Sequence, residues 1–310
     1  MTAVMDDTAV KPAVRDDVTT PVRFQYEEAF KRNLGLVGEE EQQRLRNATV
    51  AIAGAGGAGG SHAVTLARQG VGGFKIADFD TFSLANMNRQ AGAFMSTLGK
   101  NKARVIRDMV LDINPEARVT VFEEAVTEDN IDAFLDGVDI YADALDFFAL
   151  EARRLVFGRA REKGIWSVTA GPLGFSAAVL AFSPKGMSFD EYFDLRPEMS
   201  FEDRLIAFAV GVTPSATQRP YMDMSRVDVT SGAGPSAGLA CQVCSSVVAM
   251  ETIALLLRRR EPDAAPRYAQ IDLYRRKYVR GRLWFGNRGP LQRLKRFLFR
   301  RHLMKLGVIK

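Results

Sequence analysis

The sequence predicts an α/β protein: a mostly parallel sheet flanked by helices, with antiparallel strands at the C-terminal side. Three observations predict it. Residues 49–53 are a short run of strand formers, Val50 and Ile52 among alanines, followed by Gly54, Gly56, Gly57, Gly59 and Gly60. Residues 61–68 then read as a helix, and a second strand over 74–78 ends in Asp78. Beyond them, helical and strand-like stretches keep alternating to about residue 170. The first two observations make a β-loop-α-β unit of the length of a Rossmann-like nucleotide-binding half. Its glycines let backbone N–H groups approach a phosphate, and the start of its helix adds partial positive charge.

Taken in order, residues 1–22 hold few large apolar side chains and read as a flexible leader. Helical spacing begins near Tyr26, and residues 39–45 form a second, polar helix before the first strand. After the glycine unit, Val105, Ile106, Met109, Val110 and Ile113 lie at helical spacing, and Asn114-Pro115 stops that helix. A strand over 119–122, a helix over 130–135 and a strand over 138–142 follow, the last delivering Asp146. Residues 148–163 read as a helix, 166–170 as a strand and 180–182 as another. Residues 184–236 change character, with prolines, glycines and a helix from Phe201, and read as an irregular crossover insert. An apolar helix then carries Cys241 and Cys244, and strand-like runs at 268–271 and 273–279 close the 23–287 domain as a hairpin. With 310 residues, 47% of them apolar, the chain can bury one large core. No apolar run is long enough to span a membrane without a charge, and no secretory signal is visible. Two cysteines in so long a chain fit a reducing cytosol, so the expected location is cytoplasmic.

The glycine fingerprint Gly54-x-Gly56-x-x-Gly59, with Asp78 placed 24 residues after Gly54 to accept from a ribose hydroxyl, suits NAD as well as ATP. The next stretch separates them. Asp80, Asn86 and Arg89 follow within a dozen residues, and Lys102 comes soon after. A dehydrogenase has no need of this group, whereas a triphosphate site uses the cations against phosphate and an acid to hold Mg²⁺.

Asp78-x-Asp80, Asn86-x-Asn88-Arg89-Gln90 and the preceding glycines resemble the ATP site of the E1-like adenylyltransferases, of the ThiF, MoeB and HesA type. The likeness runs from about residue 30 to 174. It implies a Rossmann-like fold, a homodimer, and ATP with Mg²⁺ as cofactors. It implies that Asp78 holds the ribose, that Asn86, Arg89 and Lys102 hold the phosphates, and that Asp146 binds Mg²⁺ with Asp80 assisting. It also implies that Arg32 reaches into the neighbouring subunit's ATP site. The family usually has Asn after the metal-binding acid, where this chain has Phe147. The implied reaction is activation of a carboxylate as an acyl adenylate with release of pyrophosphate. The carboxylate belongs to a ubiquitin-like protein, a peptide or a tRNA-borne group. An NAD(P)-dependent oxidoreductase and an ATP-binding pseudoenzyme scaffold are the rival readings.

Cys241-x-x-Cys244 supplies half of a zinc site and begins an apolar helix, so it reads as core and no zinc is expected. His62 reads as a helix-surface or packing residue, not a general base. Residues 288–310 carry a charge of +8 with no acid, which leaves −3 for residues 1–287. In this basic amphipathic tail Leu291, Leu294 and Leu298 share a helix face. Two readings stand side by side: a helix that caps the fold through its leucines, or one that meets RNA, anionic lipid or an acidic partner.

Overall fold

A computed structural model describes residues 23–228 and 234–309. The 1–22 leader, residues 229–233 of the crossover stretch and Lys310 lie outside the described residues. One eight-stranded sheet runs through the domain. Its strands are Thr49–Ala53 (β1), Gly73–Ala77 (β2), Arg118–Phe122 (β3), Ile140–Asp143 (β4), Trp166–Leu173 (β5), Ser176–Phe182 (β6), Arg267–Asp272 (β7) and Lys277–Arg282 (β8). Their order is β3-β2-β1-β4-β5-β6-β7-β8. The first five are parallel, and β5 to β8 are antiparallel. The sense reverses at Gly174-Phe175, a two-residue turn in which Gly174 takes a φ of 62°, so β6 folds straight back on β5.

The helices are Tyr26–Phe30 (α1), Glu39–Asn47 (α2), Gly57–Arg68 (α3), Lys102–Ile113 (α4), Ile131–Leu135 (α5), Leu150–Glu162 (α6), Phe189–Phe193 (α7), Phe201–Val212 (α8), Gly238–Leu256 (α9) and Pro290–Lys305 (α10). Alternate residues of a strand point to opposite faces, and both faces of the central strands are covered. Val50 and Ile52 of β1 pack with Leu66 of α3, Ile106 of α4 and Val248 of α9. Ala51 and Ala53 face the other way, towards Phe134 of α5, Phe157 of α6 and Phe208 of α8. By length and composition α9 could cross a bilayer, yet Cys244, Val248, Ala249 and Ile253 belong to the core beside α3 and β5. Because β1 lies between β2 and β4, the chain changes direction across the sheet there. The carboxyl ends of these strands are the place where such sheets hold ligands.

Three local expectations are corrected. The first is the start of α3, which begins at Gly57 instead of residue 61, because the glycine run itself forms the first helical turn. A Cβ on Gly59 would sit 1.8 Å from the Gly54 carbonyl oxygen, so only glycine lets that turn close on β1. In the C-terminal hairpin, residues 273–276 form the turn between β7 and β8, not the start of a strand, and Arg276 takes a positive φ of 52°. The third correction is that the tail leucines do not cap the fold. Leu291, Leu294 and Leu298 of α10 are exposed, and the helix docks instead through buried Gln292 and Leu303 and through ion pairs from Arg296 to Asp194 and from Arg300 to Asp203.

His62 is a packing residue, and the helix-surface alternative is excluded: it is fully buried on α3 with neither ring nitrogen in a hydrogen bond. Burial holds its pKa down to about 4, against the opposing influence of Asp143. The unfolded chain therefore binds a proton near pH 6.5 that the folded protein refuses until about pH 4. Stability is full above the upper value and falls as pH drops through the window, by about 3 kcal/mol in all. His62→Leu is expected to flatten urea-unfolding free energies between these limits. An unchanged pH slope in the variant would rule this origin out.

Candidate functional site

The site starts at β1. Gly54 takes a φ of 90°, and a Cβ there would lie 2.2 Å from the Ala144 carbonyl oxygen just past β4. This close approach seats the glycine loop against the segment that carries Asp146. From β2, Asp78 accepts the backbone N–H of Ala55 at 2.7 Å and that of Asp80 at 2.9 Å. Burial pushes the Asp78 carboxyl up, and the two N–H groups oppose that rise. Asp78 thus ties the glycine loop to the end of β2.

Asn101 caps α4 by accepting the N–H of Arg104, and its amide donates to the carbonyls of Asp78 and Asp80. That clamp fixes Lys102 in the first turn of α4, where it is buried and donates to Asp80 at 2.9 Å. An ammonium at a helix N-terminus faces the positive end of the dipole. Two positive features at one spot call for an anion, and Asp80, half-exposed, supplies it here.

Asn86 accepts from the N–H and hydroxyl of Ser83, which shapes the short turn Leu84–Asn86. Arg89 follows, donating to the Ala85 carbonyl and to Asn88. Its stem lies against the loop: a Cβ on Gly57 would be 3.6 Å from Arg89 Cγ. Gln90 lies against Gly56, and its Oε1 is buried without a hydrogen-bond partner. Asp146 is exposed, accepts the N–H of Phe148, and stands two residues beyond the Ala144 carbonyl that faces Gly54. Phe147, where the family usually has Asn, turns into an apolar cluster against Phe148 and Phe208.

The structure therefore brings the glycines, Asp78, Asp80, Asn86, Arg89, Lys102 and Asp146 to one end of the sheet. Arg32 is not among them. It is exposed and follows α1, while its neighbour Asn33 bonds to the Gln69 carbonyl at the far end of α3. The 12-residue α3 separates it from its own glycine loop by about 18 Å.

Sequence reading missed the support beneath Asp146. Asp143 at the end of β4 is buried against Arg153 of α6, Nε to Oδ2 at 2.8 Å. Asp143 also accepts from Tyr141, Thr169 and the N–H of Leu145. The same guanidinium donates to the carbonyls of Leu145 and Asp146. One signal was available in the sequence: a strand ending in an acid, followed by an arginine in the next helix.

Both cysteines are buried and free. A Cβ on Gly57 would be 2.8 Å from Cys241 Sγ, so that sulfur fills the space under the loop. Burial raises both thiols, which leaves little thiolate. Ellman's reagent is expected to label neither thiol in the folded protein and both after unfolding. Stoichiometric labelling within minutes under native conditions would contradict this packing. Among the described residues no group of three or more His, Cys, Asp and Glu is placed to hold a metal ion.

A glycine loop at the switch point of a mostly parallel sheet, with a buried lysine at the start of α4, defines an α/β protein with a Rossmann-like core. The chain belongs to the ThiF family, whose profile matches residues 30–285. A tRNA threonylcarbamoyladenosine dehydratase of Bacillus subtilis (strain 168) is 40% identical over 118 residues, 38% of this chain and 46% of that protein. A probable adenylyltransferase/sulfurtransferase, MoeZ, of Mycobacterium tuberculosis is 30% identical over 223 residues, 71% of this chain and 50% of that protein. The chain spans about half the length of the curated relatives it matches. Among solved structures, PaaA superposes with a TM-score of 0.64 over 90% of this chain and 77% of its own, at 18% identity. Escherichia coli TcdA gives 0.56 over 75% and 95%, at 22% identity. These two likenesses are likenesses of fold.

Proposed function

We propose that the protein is an ATP-dependent adenylyltransferase that activates a carboxylate as its acyl adenylate. The observation that carries this reading is Lys102, an ammonium buried at a helix N-terminus beside the glycine cradle and matched to a carboxylate that ATP phosphates can replace. In the reaction the substrate carboxylate attacks the α-phosphorus, the bond to the bridging oxygen breaks, and pyrophosphate leaves. A carboxylate is already a nucleophile at neutral pH, so positioning and charge neutralisation supply the catalysis. Asp78 takes the ribose, the glycine loop presents N–H groups, and Asn86, Arg89 and Lys102 meet the phosphates.

The donor set fits a phosphate-borne Mg²⁺, which needs only one or two carboxylates and not an all-protein cage. Asp146, exposed beside the loop, would hold it with Asp80 assisting; when bound, Mg²⁺ neutralises charge on the phosphates. The chain's two cysteines are both buried, which favours capture of the adenylate by an external nucleophile. Arg32 lies too far from its own loop to serve it, which favours a homodimer in which it serves the neighbour's. The name of the Bacillus subtilis relative points to one carboxylate source, a tRNA-borne threonylcarbamoyl group. The C-terminus of a protein or peptide is the other source in this reading, and two free cysteines suit a cytoplasmic location.

The test is incubation with Mg·ATP and candidate substrates, followed by pyrophosphate exchange and mass spectrometry for an AMP-modified carboxylate. Exchange dependent on Asp146 supports the reading. Protection by NADH and not by Mg·ATP would replace it with the oxidoreductase. ATP binding without exchange on the true substrate would replace it with the scaffold.

A further inference from the structure

Helix α10 is turned against the usual logic of an amphipathic helix. Its docked side buries one leucine, Leu303, and is otherwise largely polar: Gln292 is buried against Asn287, Lys295 donates to the Pro214 carbonyl, and Arg296 and Arg300 pair with Asp194 and Asp203. Arg288, just before the helix, also reaches Asp194. Half of the tail's eight cations are thus spent on holding the helix to α8 and its neighbours. The free side presents Leu291, Leu294, Phe297 and Leu298, each more than half exposed, with Arg301 and Lys305 among them. The Arg301 guanidinium lies over the Phe297 ring at 5.7 Å. Immediately upstream, Trp284 and Phe285 are about as exposed, with Arg282 over the Trp284 ring.

We propose that this free face of α10 seats the protein on an anionic phospholipid surface. Apolar side chains interleaved with cations, and no acid anywhere in 288–310, complement acyl chains beneath negative headgroups. A second copy fits poorly, because joining two such faces sets like charges together. RNA would engage the cations and leave the leucines in water. A protein groove would have to wrap the helix, but both flanks are taken, by Lys295 on one side and Arg300 on the other. What remains is an arc that a flat surface covers. The inference is independent of the nucleotide chemistry, since α10 packs chiefly on α8 and residues 286–288.

The test is co-sedimentation of the full chain with vesicles of phosphatidylcholine alone, or with about a third phosphatidylserine. Binding is expected to the mixed vesicles only. Leu294→Glu with Leu298→Glu should weaken it by about two orders of magnitude, roughly one per leucine. Arg301→Glu should weaken it at least about fivefold, the share of one cation at such a surface. These positions are exposed, so melting temperatures should stay near wild type and separate lost docking from lost folding. The proposal fails if mixed vesicles leave the protein in solution at low salt, or if the double leucine variant binds as well as wild type. It fails equally if phosphatidylcholine alone suffices. Oligouridylate displacing the protein from vesicles would reassign the face to RNA, and dimerisation abolished by the leucine variant without any vesicle binding would reassign it to a second copy.

Discussion

Lys102→Met is expected to lower ATP–pyrophosphate exchange by about a hundred- to a thousandfold while leaving the fold intact. Methionine keeps most of the apolar stem and removes the ammonium. The lost group is nearly buried, with 9% of its side chain exposed, so its charge acts on the triphosphate with little screening by water. Removing one preorganised charge from where negative charge builds up costs the transition state about 3–4 kcal/mol. Stability should barely move. The orphaned Asp80 is 52% exposed and regains water, and the helix start no longer carries a cation against its dipole. The net change should stay within about 1 kcal/mol. Exchange within threefold of wild type, measured with saturating substrate, would remove Lys102 from the site and with it the observation on which the functional reading rests.

How much of this was legible in the sequence follows from how local each signal is. The glycine run, the strand before it and Asp78 all lie within one supersecondary unit, and the pairing of β1 with β2 and the seat of Asp78 follow that unit. Lys102 was legible because it closes the charged group that follows Asp78 and stands at the start of the apolar periodicity of α4. The Asp143–Arg153 pair was not legible. It joins a strand end to the middle of the next helix, and an arginine among the charged residues of α6 looks like any solvated one until the helix is laid on the sheet.

The tail shows the opposite failure. Its leucine spacing was read correctly as one face of a helix, but periodicity cannot say which face is docked. Here the docked face buries Gln292 and Leu303 and pairs Arg296 and Arg300 with Asp194 and Asp203 on distant segments. Arg32 shows a third kind of gap. Its place in the chain matched, but its distance from its own glycine loop depends on α1 and α2 packing against the far end of α3.

Arg153→Met should be the most destabilising single change near the site and should also impair catalysis without touching substrate. The pair it breaks has 5% and 1% of its side chains exposed, so Asp143 would be left as a buried charge without its counter-ion. Such a break costs about 3–5 kcal/mol, a large share of a domain's margin, and should lower the melting temperature by about 10 °C. Adding Asp143→Asn should recover more than half of the loss, since a neutral amide can still accept from Tyr141 and the Leu145 N–H. Activity separates positioning from direct action. Asp146→Ala removes an exposed carboxylate whose one hydrogen bond is to Phe148, so exchange should collapse with the melting temperature unchanged. In Arg153→Met the carboxylate remains, but its carbonyl loses the guanidinium that fixes the loop beside Gly54, so stability and exchange should fall together. The double variant should regain stability ahead of exchange, because an amide in place of the Asp143 carboxylate cannot restore the guanidinium's hold on the carbonyls of Leu145 and Asp146. If exchange returned in step with stability, the arginine would be a support of the fold alone and the placement of Asp146 would owe nothing to it.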